Sequence, residues 1–203
     1  MRIWLTVLGF VWTFLVAAQD TTYYPDGAIK SIGAFENDMR QGKWMMYYEN
    51  GRLNAVLNYT DDLQSGKQTY YYPSSQLMHE EYWTGGILTD SARYYHENGI
   101  LDKYGSYENG MYQGKWLFYY ESGILRQEGF YDFGLPSGSW KFYYENGKLW
   151  QAGTLKEGLE MGEWKYFDES GKMTYSGHFE NGERRGWWYK YTKSGKKKEW
   201  KQY

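Results

Sequence analysis

The chain repeats itself every 24 residues without a slip: GKWMMYYENGRL at position 42 returns as GKWLFYYESGIL at 114 and as GSWKFYYENGKL at 138. Units begin at 18, 42, 66, 90, 114, 138, 162 and 186, and no insertion interrupts them. A fixed period of this length makes each unit one supersecondary element that cannot bury its own apolar face and must stack on copies of itself.

The unit reads as strand, turn, strand. Five residues after each start stands an aromatic: Tyr23, Tyr47, Tyr71, Tyr95, Tyr119, Tyr143, Phe167 and Tyr191. Eleven residues after each start stands Ile29, Leu53, Leu77, Leu101, Leu125, Leu149 or Met173, and the pattern fails only at Lys197. Between them lie Glu49-Asn50-Gly51, Glu97-Asn98-Gly99 and Glu145-Asn146-Gly147, which suit a three-residue hairpin loop built on a type I turn with a left-handed Gly. That loop sets the aromatic opposite the aliphatic as a cross-strand pair. Aromatics at 22% and 25 Gly against 3 Pro agree with β structure.

Strict alternation along the second strand places Phe35, Tyr59, Trp83, Tyr107, Tyr131, Leu155, Phe179 and Tyr203 on one face with the aliphatic. Gly33, Gly105, Gly129, Gly153 and Gly177 share that face and predict an aromatic ring lying over bare backbone. This face is expected to be the packed spine. The opposite face carries Trp44, Trp116, Trp140, Trp164 and Trp188, with Asp20, Gln68 and Ala92 in the other units.

The full pattern of Gly114, Trp116, Tyr119, Tyr120, Gly123, Leu125, Gly129, Tyr131 and Gly134 resembles the MORN repeat, in the bacterial variant often labelled an antitoxin component of a toxin–antitoxin system. The resemblance spans residues 20 to 203, and the unit from Gly66 departs most, with Gln68 for Trp and Ser75 and Glu81 for Gly. It implies an all-β repeat protein: stacked β-hairpins forming an elongated, twisted antiparallel sheet. It also implies a scaffold or membrane-organising role, in some members with acidic lipids as ligands.

Residues 1 to 18 have the layout of a secretory signal peptide: Arg2, an uncharged apolar run from Ile3 to Val16, then Ala17 and Ala18. The run falls short of the roughly 20 residues that a spanning helix needs. Cleavage after Ala18 leaves residues 19 to 203 as an array of about eight repeats, secreted or held in the periplasm or cell envelope. Export sits badly with an antitoxin, which meets its toxin in the cytoplasm.

Little points to catalysis. His79, His96 and His178 occupy different stations of their units, and no phosphate loop, Gly-x-Ser-x-Gly elbow or His-Glu-x-x-His is present. The absence of Cys excludes disulfides, thiolate metal sites and a cysteine nucleophile. No enzyme activity, cofactor or metal is expected, and a net charge of −2 gives no reason to expect nucleic acid.

Two binding surfaces are candidates. Trp116, Tyr120, Trp140, Tyr144, Trp164 and Trp188 form a prospective exposed strip for a protein partner or for sugar rings. Arg184, Arg185, Lys190, Lys193, Lys196, Lys197 and Lys198 crowd the last unit, either as a solvated cap or as a contact for an anionic membrane surface. The function expected is a non-enzymatic exported scaffold binding protein or membrane surface; the alternatives are a cell-wall glycan module, or an antitoxin-like binder if the chain is not exported.

Overall fold

The computed structural model describes residues 19–203, so the leader and its cleavage site lie outside the described residues. Seventeen antiparallel strands form one open sheet with no helix among the described residues. They are β1 (Gln19–Tyr23), β2 (Ile29–Glu36), β3 (Met39–Tyr47), β4 (Leu53–Thr60), β5 (Leu63–Gln64), β6 (Gly66–Tyr71), β7 (Leu77–Thr84), β8 (Ile87–Tyr95) and β9 (Leu101–Glu108). The second half continues with β10 (Met111–Tyr119), β11 (Leu125–Asp132), β12 (Leu135–Tyr143), β13 (Leu149–Lys156), β14 (Leu159–Phe167), β15 (Met173–Glu180), β16 (Glu183–Tyr191) and β17 (Lys197–Gln202). Each strand pairs with its neighbours in sequence, and β4 pairs with both β5 and β6, which are two pieces of one interrupted strand. The sheet is therefore a meander.

Two turns alternate along it. Within a unit, Gly123 N–H donates to the Tyr120 carbonyl at 2.8 Å with φ +83°, and Tyr120 N–H donates to the Ile124 carbonyl at 2.9 Å. This is the expected type I turn with a left-handed Gly, and it sets Tyr119 opposite Leu125. Between units, two consecutive residues both take positive φ, as in Asn109 (51°) and Gly110 (77°). That is a type I′ turn, whose twist matches its flanking strands.

The expected spine is overturned by one residue. Tyr119 pairs with Leu125 but Phe118 pairs with Gln127, so Arg126 is an extra residue bulged out of the second strand. The same shift recurs beside Tyr23, Tyr47, Tyr71, Tyr95, Tyr143 and Phe167. A bulge exchanges the two faces for everything beyond it. Gly129 and Tyr131 thus leave the face of Leu125 and join that of Trp116, whose registered partner is Gly129.

The Trp face is the core. Trp44, Trp116, Trp140, Trp164 and Trp188 are each 4% exposed or less. Each indole lies over a Gly of the preceding unit. A Cβ added at Gly129 would stand 2.1 Å from Trp140 Cδ2, and Gly33, Gly105, Gly153 and Gly177 stand in the same relation to Trp44, Trp116, Trp164 and Trp188. Trp140 Nε1 donates to the Phe130 carbonyl at 3.2 Å, as Trp44, Trp116 and Trp164 do to Ala34, Ser106 and Thr154. An aromatic edge closes each site: Tyr131 on Trp140 at 5.2 Å and 81°, Phe179 on Trp188 at 5.2 Å and 86°.

Candidate functional site

The six residues expected to form an exposed aromatic strip do not form one. Trp116, Trp140, Trp164 and Trp188 are buried between units, because the bulge turns their face inward onto glycine backbone. Tyr120 and Tyr144 are half-buried and already bonded: their hydroxyls donate to the carbonyls of Tyr143 (2.8 Å) and Phe167 (2.9 Å) in the next unit. Tyr24, Tyr48 and Tyr72 make the same stitch, and His96 replaces tyrosine with Nε2 at 3.2 Å from the Tyr119 carbonyl. The carbonyl accepts, so Nε2 carries the proton. Asp168 breaks the ladder and accepts from Ser170 and Lys172 in its own turn.

The basic residues of the last unit are all exposed. They are not all free. Arg185 is held by Glu183 at 2.7 Å and Glu180 at 3.7 Å, the Lys197 ammonium lies 3.6 Å from the Tyr189 ring centroid, and Lys190 lies 5.8 Å from that of Tyr175. Arg184 covers Trp188 at 4.4 Å and donates to the Tyr203 hydroxyl at 2.9 Å. Lys193, Lys196 and Lys198 make no ion pair among the described residues.

The structure also assembles a polar inlay that alternation could not locate. In two adjacent units the interlock of Trp over Gly is replaced. Gln68 stands in the Trp station, fully buried, opposite Leu57 in place of Gly; its amide accepts from Asn58 N–H (2.7 Å) and donates to the Asn58 carbonyl (3.0 Å). One unit later the sizes invert: Ala92 takes the Trp station, and Glu81, 8% exposed, takes the Gly station. A buried carboxylate needs partners. Glu81 accepts from Tyr94 Oη at 2.6 Å and from Trp83 Nε1 at 3.0 Å, with His79 Nε2 at 4.0 Å.

Tyr94 bonds Tyr107 at 2.9 Å, and the Lys103 ammonium donates to the Tyr112 hydroxyl at 2.7 Å while lying over the Tyr94 and Tyr112 rings. Burial, and then the bond to Glu81, holds the Tyr94 phenol far above its ordinary range. Burial also raises Tyr107 and lowers His79, against the opposing pull of Glu81 on the histidine. At neutral pH both phenols keep their protons and His79 is uncharged. Tyr94, Trp83 and Lys103 each donate to an acceptor within the inlay, so its polar groups hold one another as a plug in the stack. No group of three metal-ligating side chains occurs among the described residues.

An exposed aliphatic row lies on the rim formed by the turns between units. Leu63, Ile87, Met111, Leu135 and Leu159 recur at the 24-residue period, each 40% to 50% exposed, and Phe133 beside them is 63% exposed. The sequence pattern contained this row; it was missed because a residue leaving a turn carries no face until the turn type is known.

A model of the MORN repeat variant matches residues 40–61, 91–109, 112–132, 136–157 and 162–181, just over half of the chain. No curated protein matches. Among solved structures, this chain is similar to part of the crystal structure of TcdB2-TccC3-Cdc42, with 12% identity over 84% of this chain and a TM-score of 0.24. It is similar to part of that of TcdB2-TccC3, with 10% identity over 85% of this chain and a TM-score of 0.20. The chain spans about an eighth of the length of those chains, and at such scores the likeness carries no argument.

Proposed function

The chain belongs to the MORN repeat variant family, and from that membership we propose that it is an exported, non-enzymatic scaffold of the cell envelope that binds a protein partner along one rim. The observation that carries this reading is the row of Leu63, Ile87, Met111, Leu135 and Leu159. With two strands per unit, these side chains recur about every 9–10 Å. A line of exposed aliphatics at fixed spacing supports this reading, since exposed apolar surface rimmed by polar residues marks interaction sites. Exposed carboxylates flank it, among them Asp61, Glu108, Asp132 and Glu157, which favours a partner carrying apolar side chains bordered by basic ones. They disfavour an anionic bilayer at this rim.

The test is chemical crosslinking and pull-down from the native envelope with the wild-type chain and with Met111→Asp/Leu135→Asp, whose sites lie on the exposed rim and spare the core. A partner recovered by the first and lost by the second supports the reading. Equal recovery refutes the rim. Export is tested by sequencing the N-terminus of the protein recovered outside the cytoplasm, with Gln19 expected first. A chain that stays cytoplasmic with residues 1 to 18 attached overturns export and restores the antitoxin-like alternative.

The second reading is membrane-surface binding by the last unit, favoured by the exposed Lys193, Lys196 and Lys198. Each contributes about 1 kcal/mol near an anionic surface. Flotation with phosphatidylserine vesicles that falls steeply with salt, and is lost when these lysines become glutamine, supports it; salt-independent flotation refutes it.

A further inference from the structure

The last two units hold an open cleft of about 290 Å³ whose walls are Tyr166, Tyr175, Arg184, Trp188 and Trp200. It owes its existence to the terminal departure from the repeat. In the last hairpin the bulge moves: Trp188 pairs with Lys201 and Tyr189 with Glu199, so Trp200 is the residue thrown out of register. The displaced indole is 46% exposed and stands 5.0 Å from the Tyr175 ring at 53°, so the two rings form a V-shaped wall. Tyr166 and Trp188 face each other at 6.0 Å and 37° on the other side.

One polar group in these walls, the Arg184 guanidinium, is not used up by the fold. Arg184 makes no ion pair among the described residues, whereas its neighbour Arg185 is held by two carboxylates. Its one hydrogen bond goes to Tyr203 Oη, which leaves most of its five donors.

We propose that this cleft binds a sugar ring bearing a carboxylate, such as a uronic acid, with the ring against the Trp200–Tyr175 wall and the carboxylate on the fork of Arg184. The volume stands at the lower end of small-ligand sites, suited to one or two rings. The guanidinium fork matches a carboxylate in two parallel bonds. An aromatic acid would seek an enclosed slot; a sugar stacks its C–H face on tyrosine and tryptophan and keeps its hydroxyls wet, which an open cleft with an exposed Trp200 permits. This site lies apart from the aliphatic rim and does not depend on the scaffold reading.

The experiment titrates the full chain with glucuronic acid, glucose and benzoate, followed by calorimetry and by tryptophan fluorescence. Glucuronic acid is expected to bind at least tenfold more tightly than glucose. Arg184→Gln should abolish that preference, and Trp200→Ala should weaken both sugars. Trp200→Phe, which keeps the platform, should retain binding even if the alanine variant loosens the last hairpin. A short polyuronate binding more tightly than the monosaccharide marks a polymer-bound sugar as the source, and equal affinity marks a free one. Glucose binding as well as glucuronic acid, an Arg184→Gln variant with unchanged preference, or benzoate binding more tightly than the sugar acid would overturn the proposal.

Discussion

Alanine at Gly129 should destabilise the array while Trp140 is present and stabilise it once Trp140 is gone. Gly129 has an ordinary negative φ, so its backbone accepts a side chain. What forbids one is the indole: the new Cβ would stand 2.1 Å and 2.2 Å from Trp140 Cδ2 and Cε2. The ring must retreat by more than an ångström from a site where it is 2% exposed, boxed by Tyr131 at 5.2 Å and Phe142 at 5.8 Å. It then loses contact area and its bond to the Phe130 carbonyl.

Trp140→Ala removes the ring outright and should cost about 3–5 kcal/mol. Gly129→Ala should cost about 2–4 kcal/mol, as a mixture of overpacking and the lost hydrogen bond, worth about 1 kcal/mol. In the Trp140→Ala background the same change meets no ring and only stiffens a strand, which should gain about 0.5–1 kcal/mol. The double-mutant cycle should therefore show a coupling of about 2.5–5 kcal/mol with a reversal of sign. Urea unfolding followed by far-ultraviolet circular dichroism gives the energies. Hydrogen exchange of the β11 and β12 amides shows whether loss is local, since an array can open unit by unit. An additive cycle, or Gly129→Ala costing the same in both backgrounds, refutes the interlock.

The inverted station should obey the same rule: Ala92→Trp alone is expected to clash with Glu81, and adding Glu81→Gly should recover most of the lost melting temperature. No recovery in the double variant would show that the two stations are not a size-matched pair. Lys115, and then Tyr143, holds the Glu128 carboxyl below its ordinary 4.5. A depressed carboxyl stabilises the fold above its unfolded value and loses that contribution as pH falls through the folded one, so Glu128→Gln should flatten the stability profile below about pH 4.5. Parallel acid limbs for the two proteins would count against it. The junction of β4 with β6, where β5 interrupts the ladder and two pairs, Ala55 with Tyr70 and Val56 with Thr69, carry β6, should exchange its amides earlier than other unit junctions. Late exchange there would contradict the weak point that the sequence of the unit from Gly66 suggests.

The repeat, the turn and the pairing of Tyr119 with Leu125 were legible because they depend on residues close in sequence: a left-handed Gly and a three-residue loop fix their own register. The candidate strip was read on the wrong side for an equally local reason. Alternation assumes that no residue is added to a strand, and nothing in the side chains of Lys30, Asn54, Arg126 or Trp150 announces a bulge. Gly129 did predict a ring over backbone, but the ring belongs to Trp140 in the next unit.

By itself, then, the sequence determined the period, the hairpin, the antiparallel stack and the stations at which residues recur, since each follows from local backbone preference multiplied by repetition. Only the tertiary structure decided which face became the core. It also decided that Tyr120 and Tyr144 are stitches, that Glu81 and Ala92 trade volumes across a junction, and that Trp200 opens a cleft beside Arg184. All of these depend on how one unit lies against the next, and that relation is set by a bulge and by close contact across the stack.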